Sequence, residues 1–232
     1  MIKKILPIII ISSASSWADM NTIFVGDESP LSLYGVVNKI NQMKLSQVDD
    51  KSDTTLMFGD SITQGLNHND LHFKYVNLGI AGDTVHGIKK RIKETNISEY
   101  KAVFITAGTN NLLMGELGIH LGLEMAEAID YAAPRSKILY VSQTFVPNRE
   151  KLTHITKDFP NADYLIKKTC SKYTNCIFVP LPEGMIGVNG IDAKYTLPDA
   201  THLTGHAYSL WKLELNKTMA TFPYSVYYRY FK

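Results

Sequence analysis

Two segments that lie far apart in the chain carry the side chains needed for nucleophilic catalysis. Near the start, Ser61 stands in Gly59-Asp60-Ser61, directly after an apolar run. Near the end, Asp199 precedes His202 by three residues, a spacing at which one carboxylate can orient one imidazole. A serine hydroxyl is a poor nucleophile until a base removes its proton, and the histidine base needs a partner to hold its tautomer. Folded together, the two segments would supply all three groups of a serine hydrolase.

The Gly-Asp-Ser turn has two other interpretations. Asp60 or Ser61 could simply cap a helix, as both residue types commonly do. A glycine-rich turn between a strand and a helix could also bind phosphate, but no Lys follows this turn to reach the phosphate groups. A nucleophilic serine and a capping residue therefore stay as the two alternatives.

Two further turns could stabilise developing negative charge. Gly82 precedes the start of a predicted helix, and its N–H could approach a substrate oxygen with no side chain in the way. Asn110 follows a predicted strand, and its amide could donate a hydrogen bond to an oxyanion. Ordinary turn chemistry at both places is the alternative, with Asp83 as the cap of the helix after Gly82.

His202 is the favoured general base, a role that suits histidine because its ordinary pKa lies near neutrality. His206 is the competitor, one helical turn later. It falls inside the predicted last helix, whereas His202 precedes that helix on the loop side. We interpret the other histidines as surface or loop residues.

Five short apolar or β-branched runs predict the strands that must position these turns. The runs cover residues 54–58, 75–78, 102–106, 137–142 and 176–180. Their apolar residues are largely continuous, as expected for strands that are covered on both faces. Helical patterns separate most of them and predict helices opening near Ser29-Pro30 and after Asp83, from 119 to 129, within 149–173, and after Thr204.

This alternation of strands and helices predicts a parallel sheet with helices on both faces, in three layers. Parallel sheets of this kind present their functional loops at the carboxyl ends of the strands. Ser61 follows the first predicted strand, Gly82 the second and Asn110 the third. The candidate residues are therefore expected at one edge of the sheet.

The first eighteen residues have the organisation of a secretory signal peptide. Lys3 and Lys4 precede an apolar stretch over 5–11, and Ser16-Trp17-Ala18 ends in small residues. We expect cleavage before Asp19, leaving residues 19–232 as the mature domain, exported to the periplasm or secreted. An uncleaved membrane anchor is the alternative, but the apolar stretch is well short of the roughly 20 residues that a spanning helix needs.

Removal of that segment balances the charge of the chain. The 24 basic and 22 acidic residues become 22 of each, because Lys3 and Lys4 are the only charged side chains of residues 1–18. A net charge of zero gives no electrostatic reason to expect nucleic acid or an anionic membrane as a partner. We also expect no stable membrane insertion after cleavage.

Cys170 and Cys176 are the only cysteines. In an exported protein, two thiols at this separation favour a local disulfide over free thiols. Zinc binding is disfavoured, because two cysteines without a nearby pair of histidines do not complete four ligands.

In combination, four of these segments resemble the conserved blocks of the SGNH hydrolases, also called the GDSL esterase/lipase superfamily. The resemblance covers nearly the whole mature chain, and each block follows a predicted strand or precedes the last helix in the expected order. Ile62 replaces the Leu of the family's nickname. The matching residues are Gly59, Asp60, Ser61, Gly82, Gly108, Asn110, Asp199 and His202.

The resemblance implies a flavodoxin-like three-layer α/β/α sandwich with a five-stranded parallel sheet, and no metal or organic cofactor. It also implies roles for the side chains: Ser61 as nucleophile, His202 as base and Asp199 as orienting acid. The oxyanion hole would comprise the backbone N–H groups of Ser61 and Gly82 with the side chain of Asn110. Asp60 is expected to be structural. Asn111 departs from the family's usual Asp, which puts a helper role there in doubt.

These inferences predict an exported serine esterase that hydrolyses short-chain acyl esters, with acetyl favoured, on a small molecule, a carbohydrate or a cell-envelope polymer. A lysophospholipase, a thioesterase or an O-acyltransferase with the same triad is the alternative within the family. An inactive glycan-binding module on the same scaffold is the alternative from another class. The aromatic tail over 222–231 is interpreted as a packed terminal strand, with a partner or sugar surface as the alternative. The sequence does not report the oligomeric state.

Overall fold

The computed structural model describes residues 32–230, with side chains described as far as residue 220. The expected signal peptide over 1–18 and the expected helix opening at Ser29-Pro30 lie outside the described residues. The helices are α1 (Leu33–Ser46), α2 (Ser61–Gln64), α3 (Val85–Glu94), α4 (Thr109–Leu113), α5 (Gly118–Ala132), α6 (Pro160–Cys170) and α7 (Gly205–Tyr230). The strands are β1 (Thr54–Gly59), β2 (Lys74–Gly79), β3 (Ala102–Ile105), β4 (Leu139–Ser142), β5 (Cys176–Val179), β6 (Ile186–Gly187) and β7 (Gly190–Ile191).

The first five strands form one parallel sheet in the order β2-β1-β3-β4-β5. Each predicted strand coincides with an observed one to within two residues at either end. β1 lies between β2 and β3, so the turns that follow these three strands meet at one edge of the sheet. This arrangement confirms the predicted fold class.

Alternate residues of the strands enter two separate cores, one on each face of the sheet. Leu56 and Phe58 of β1 pack with α3, α5 and α6, whereas Met57 of the same strand faces the other side. There it shares a core with Phe104 and with Trp211 of α7. Helices on both faces complete the three layers, because each face of a buried parallel sheet needs a cover.

One local expectation differs from the structure. The tail predicted as a terminal strand continues helix α7 as far as Tyr230, so the strand interpretation was wrong. A helix that already exists adds residues at little cost, which outweighs the β propensity of aromatic residues.

The apolar face of α1 is only partly covered, since Val36, Ile40 and Met43 are exposed. Within residues 32–230, none of the helices combines the length and apolar character needed to span a bilayer.

A disulfide joins Cys170, the last residue of α6, to Cys176, the first residue of β5. Replacing both cysteines with alanine should lower the free energy of unfolding by about 2 kcal/mol, because the bond restricts a short loop of the unfolded chain. Urea unfolding of the double variant beside the oxidised wild type measures the loss. Reduced wild type should unfold at the midpoint of the variant, and three equal midpoints would contradict the prediction.

Candidate active site

The serine turn is shaped by the close packing at the end of β1. A Cβ atom on Gly59 would lie 1.9 Å from the Thr63 hydroxyl oxygen, so only glycine fits at that position. Asp60 then caps α2, since its Oδ1 accepts a hydrogen bond of 2.9 Å from the Ile62 N–H. Ser61 is the first residue of this short helix, at the carboxyl edge of the sheet. Of the two alternatives for capping, the structure assigns the cap to Asp60 and leaves the Ser61 side chain to other contacts.

The acid and the base lie on a tight loop before α7. An antiparallel bridge between Thr196 and Leu203 closes the loop, and Ala200 adopts a left-handed conformation with φ of 62°. This turn brings the Asp199 carboxylate back towards the residues that follow it. Its Oδ1 accepts hydrogen bonds from the backbone N–H groups of Thr201 (3.0 Å) and His202 (2.9 Å).

The three predicted catalytic side chains form a continuous hydrogen-bonded chain. His202 Nε2 lies 2.9 Å from Ser61 Oγ, and His202 Nδ1 lies 2.7 Å from Asp199 Oδ2. This is the arrangement in which an imidazole can take the serine proton while a carboxylate holds its orientation. His206 lies within α7 and stacks on the ring of Tyr195 instead.

Asp199 is suited to remain ionised. Partial burial acts to raise the pKa of its carboxyl group, but the hydrogen bonds from His202 and from two backbone N–H groups hold that pKa below its ordinary value. The side chains of Asp199 and His202 are 47% and 44% exposed. The site is therefore open to solvent, and a large substrate could approach it.

Gly82 occupies a turn from Ile80 to Asp83, closed by a hydrogen bond of 3.1 Å from the Asp83 N–H to the Ile80 carbonyl. Its φ is +79°, the left-handed value that glycine adopts at the third position of a type II turn. A Cβ atom added at Gly82 would meet nothing within 4 Å. The backbone here borders open space, as an oxyanion donor requires.

The side chain of Asn110 is held in place by a hydrogen bond from its own amide group. Its Nδ2 donates a hydrogen bond of 2.8 Å to the Asp83 carbonyl, and because an amide nitrogen carries two hydrogens, the second is left for another acceptor. The neighbouring Asn111 is buried and structural. Its Oδ1 accepts from the Val85 N–H at the start of α3, and its Nδ2 donates to Glu116 at 2.7 Å.

Asp83 is not the cap of α3, contrary to the sequence prediction. Thr84 occupies the cap position, and the Asp83 carboxylate instead forms a buried ion pair with Arg91, at 2.6 and 2.9 Å from two guanidinium nitrogens. The same guanidinium donates to the carbonyls of Leu78 (2.6 Å) and Gly59 (3.1 Å). Arg91 thus connects the ends of β1 and β2 with the turn that carries Gly82.

Sequence reasoning missed Arg91, and it also missed Tyr208. The Tyr208 hydroxyl donates a hydrogen bond of 2.9 Å to the Ile62 carbonyl, which ties α7 to the short helix that begins at Ser61. The sole sequence clue for Arg91 is its helical alignment with Ile88 and Ile92 on the apolar side of α3. Tyr208 has no local clue, because its partner is 146 residues away.

Asp60 is fully buried beneath the site, and burial raises the pKa of its carboxyl group to about 6, against the opposing hydrogen bond from Ile62. The folded state therefore binds the proton of the Asp60 carboxyl group more tightly than the unfolded state does. The free energy of unfolding falls as pH rises from about 4 to 6. We expect Asp60→Asn to remove about 2–3 kcal/mol of this pH-dependent loss. Urea unfolding of both proteins at pH 4.5 and pH 7 tests this, and identical pH dependence would contradict it.

The fold is similar to those of several solved lipases and esterases. The chain resembles a GDSL-like lipase from Bacteroides thetaiotaomicron, at 18% identity and a TM-score of 0.63, over 81% of this chain and 98% of that one. It also resembles a lipase/acylhydrolase from Enterococcus faecalis, at 16% identity and a TM-score of 0.58, over 72% and 94%. The psychrotrophic esterase EstA from Pseudoalteromonas is similar at 14% identity and a TM-score of 0.54, over 73% and 98%.

No protein-family model and no curated protein matches the sequence. Within the described residues, no three His, Cys, Asp or Glu side chains lie together in a way that could hold a metal ion. The solved structures are similar over nearly their whole length, and at identities below a fifth such likeness establishes the fold. The chain therefore has the fold of the GDSL-type lipases and acylhydrolases, the SGNH hydrolase fold that its sequence blocks had implied.

Proposed function

We propose that this protein is a serine esterase of the SGNH superfamily that works through an acyl-enzyme intermediate. The observation that carries the proposal is the hydrogen-bonded chain from Ser61 through His202 to Asp199, with distances of 2.9 and 2.7 Å. The likeness of the fold to named lipases, acylhydrolases and esterases supports it.

Ser61 Oγ attacks the ester carbonyl while His202 Nε2 accepts its proton, and Asp199 stabilises the resulting imidazolium. The carbonyl oxygen becomes negative and receives hydrogen bonds from the Ser61 and Gly82 N–H groups and from Asn110. Collapse of the tetrahedral intermediate formed in this way breaks the bond to the alcohol, and the leaving alcohol takes the proton from His202. A water molecule, deprotonated by His202, then releases the acid from Ser61 by the same steps.

For the substrate, we propose a short acyl group, with acetyl favoured, on a small alcohol, a carbohydrate or a cell-envelope polymer. The exposure of Asp199 and His202 supports this, because an open site admits a bulky alcohol portion and offers little enclosed space for a long acyl chain. Export is part of the proposal. N-terminal sequencing of the protein recovered from its host tests it, and Asp19 is the expected first residue.

The test is hydrolysis of p-nitrophenyl acetate, butyrate and octanoate by the wild type, with Ser61→Ala as the blank. We expect Ser61-dependent turnover that falls as the acyl chain lengthens. Turnover that rises towards octanoate would favour a lysophospholipase or thioesterase, and transfer of acetyl to added sugars in place of water would favour an acyltransferase. Folded protein that hydrolyses none of these esters, yet binds glycans, would support the inactive module.

A further inference from the structure

We propose that Gln64 is a positioning residue that sets the place of the Gly82 N–H in the oxyanion hole, an inference that rests on the esterase proposed above. Gln64 is the last residue of α2, the helix that begins with Ser61. Its side-chain Oε1 accepts a hydrogen bond of 2.6 Å from the backbone N–H of Ala81. Ala81 immediately precedes Gly82, so this bond ends one residue from the proposed oxyanion donor.

The bond links two oxyanion donors that come from different strands. The Ser61 N–H belongs to the turn after β1, and the Gly82 N–H belongs to the turn after β2. Helix α2 and the end of β2 are in direct backbone contact, because a Cβ atom on Gly79 would lie 2.2 Å from the Gln64 nitrogen. Beyond that contact, the turn that carries Gly82 leaves the sheet. The hydrogen bond from Ala81 to Gln64 holds this turn where the Gly82 N–H must meet the substrate.

The fold of the turn does not depend on Gln64. The Ile80 N–H donates to the Gly59 carbonyl at 3.0 Å, and the Asp83 N–H closes the turn onto Ile80 at 3.1 Å. Arg91 anchors the far side through Asp83. Gln64 and Ala81 are both exposed, so a substitution at Gln64 removes one surface hydrogen bond and leaves the core intact. Its effect on catalysis can therefore be separated from an effect on folding.

Oxyanion donors act through their fixed orientation, and small displacements of such groups are costly to the rate. Gln64→Met keeps the length of the side chain but removes the acceptor. We expect Gln64→Met to lower kcat about tenfold and to leave KM within about twofold of wild type. The reason is that the Gly82 N–H binds the transition state more closely than it binds the ground-state ester. The midpoint of urea unfolding should change little.

Gln64→Glu restores an acceptor for the Ala81 N–H. It should recover kcat to within about threefold of wild type, the remainder reflecting negative charge near the oxyanion. The Ala81 amide proton, followed by NMR, should move in Gln64→Met and return towards its wild-type position in Gln64→Glu. Gln42→Ala, an exposed glutamine on α1, is the matched control and should keep wild-type kinetics.

Labelling of Ser61 by a fluorophosphonate, followed by mass spectrometry, provides a second rate that needs no ester turnover. If Ser61 neither turns over esters nor reacts with this probe, the proposed esterase fails and the role of Gln64 fails with it. If Ser61 reacts, and Gln64→Met matches wild type in both kcat and labelling rate, only the positioning role is overturned. A loss in Gln64→Met that Gln64→Glu does not recover would overturn it equally.

Discussion

Ser61→Ala and His202→Ala should each lower kcat by about 10⁴- to 10⁶-fold, and the double variant should be no slower than either single one. The reason is the 2.9 Å contact between His202 Nε2 and Ser61 Oγ. Without the imidazole the hydroxyl keeps its proton, and without the hydroxyl the imidazole has nothing to activate. The two side chains act as a unit, so the second replacement removes nothing further.

The measurement is steady-state kinetics on whichever p-nitrophenyl ester the wild type hydrolyses best. His206→Ala and Ser209→Ala are matched controls, because both residues lie on the exposed side of α7 near its start. Both should stay within about twofold of wild type, as surface substitutions outside a site usually do. A Ser61→Ala protein that kept more than about a tenth of the wild-type rate would exclude the acyl-enzyme mechanism.

Arg91→Met should lower the free energy of unfolding at pH 7 by about 3–5 kcal/mol, the usual cost of leaving one partner of a buried ion pair alone. Arg91 and Asp83 are 4% and 1% exposed. Burial already raises the pKa of the Asp83 carboxyl group, and Arg91 counteracts that effect. Without the guanidinium, the carboxylate loses its counter-charge, and the carbonyls of Gly59 and Leu78 each lose the hydrogen bond from Arg91.

Urea unfolding at pH 7 and pH 5 measures the loss and its sign. The pKa of Asp83 should rise further in Arg91→Met, so the folded variant binds a proton more readily and its deficit should be smaller at pH 5. Adding Asp83→Asn should recover part of the stability at pH 7. Lys90→Met, which removes an exposed partner of Glu94 on the same helix, is the control and should cost about 0.5 kcal/mol or less. A loss equal to that control would contradict the prediction.

The positions of the strands along the chain were predictable, because each strand is marked by a local run of apolar or β-branched residues. Residues 102–105 are apolar throughout, as expected for a strand that is covered on both faces. Ser61, Gly82 and Asn110 each follow such a run, and parallel strands bring their carboxyl ends to one edge. The sequence alone therefore determined the sheet and the neighbourhood of these three turns.

The roles of charged residues around the turns were less predictable. Asp83 has the type and place of a helix cap, and Arg91 stands among lysines in a stretch that resembles a solvated helix face. The alignment of Arg91 with Ile88 and Ile92 is a clue that it is buried, but no local feature reveals its pairing with Asp83. That pairing depends on β1 and β2 packing against α3. Tertiary packing overrode the local preference at this point.

The sequence by itself determined which chemistry this protein could perform, since Ser61, Asp199 and His202 are identifiable from residue type and spacing. Only the tertiary structure decided the 2.9 Å approach of His202 to Ser61. It also decided how the turn that carries Gly82 is held, by the bond from Ala81 to Gln64 and by the buried Arg91. Residue type and periodicity are local properties, whereas hydrogen-bond geometry depends on contacts between segments that only the folded chain brings together.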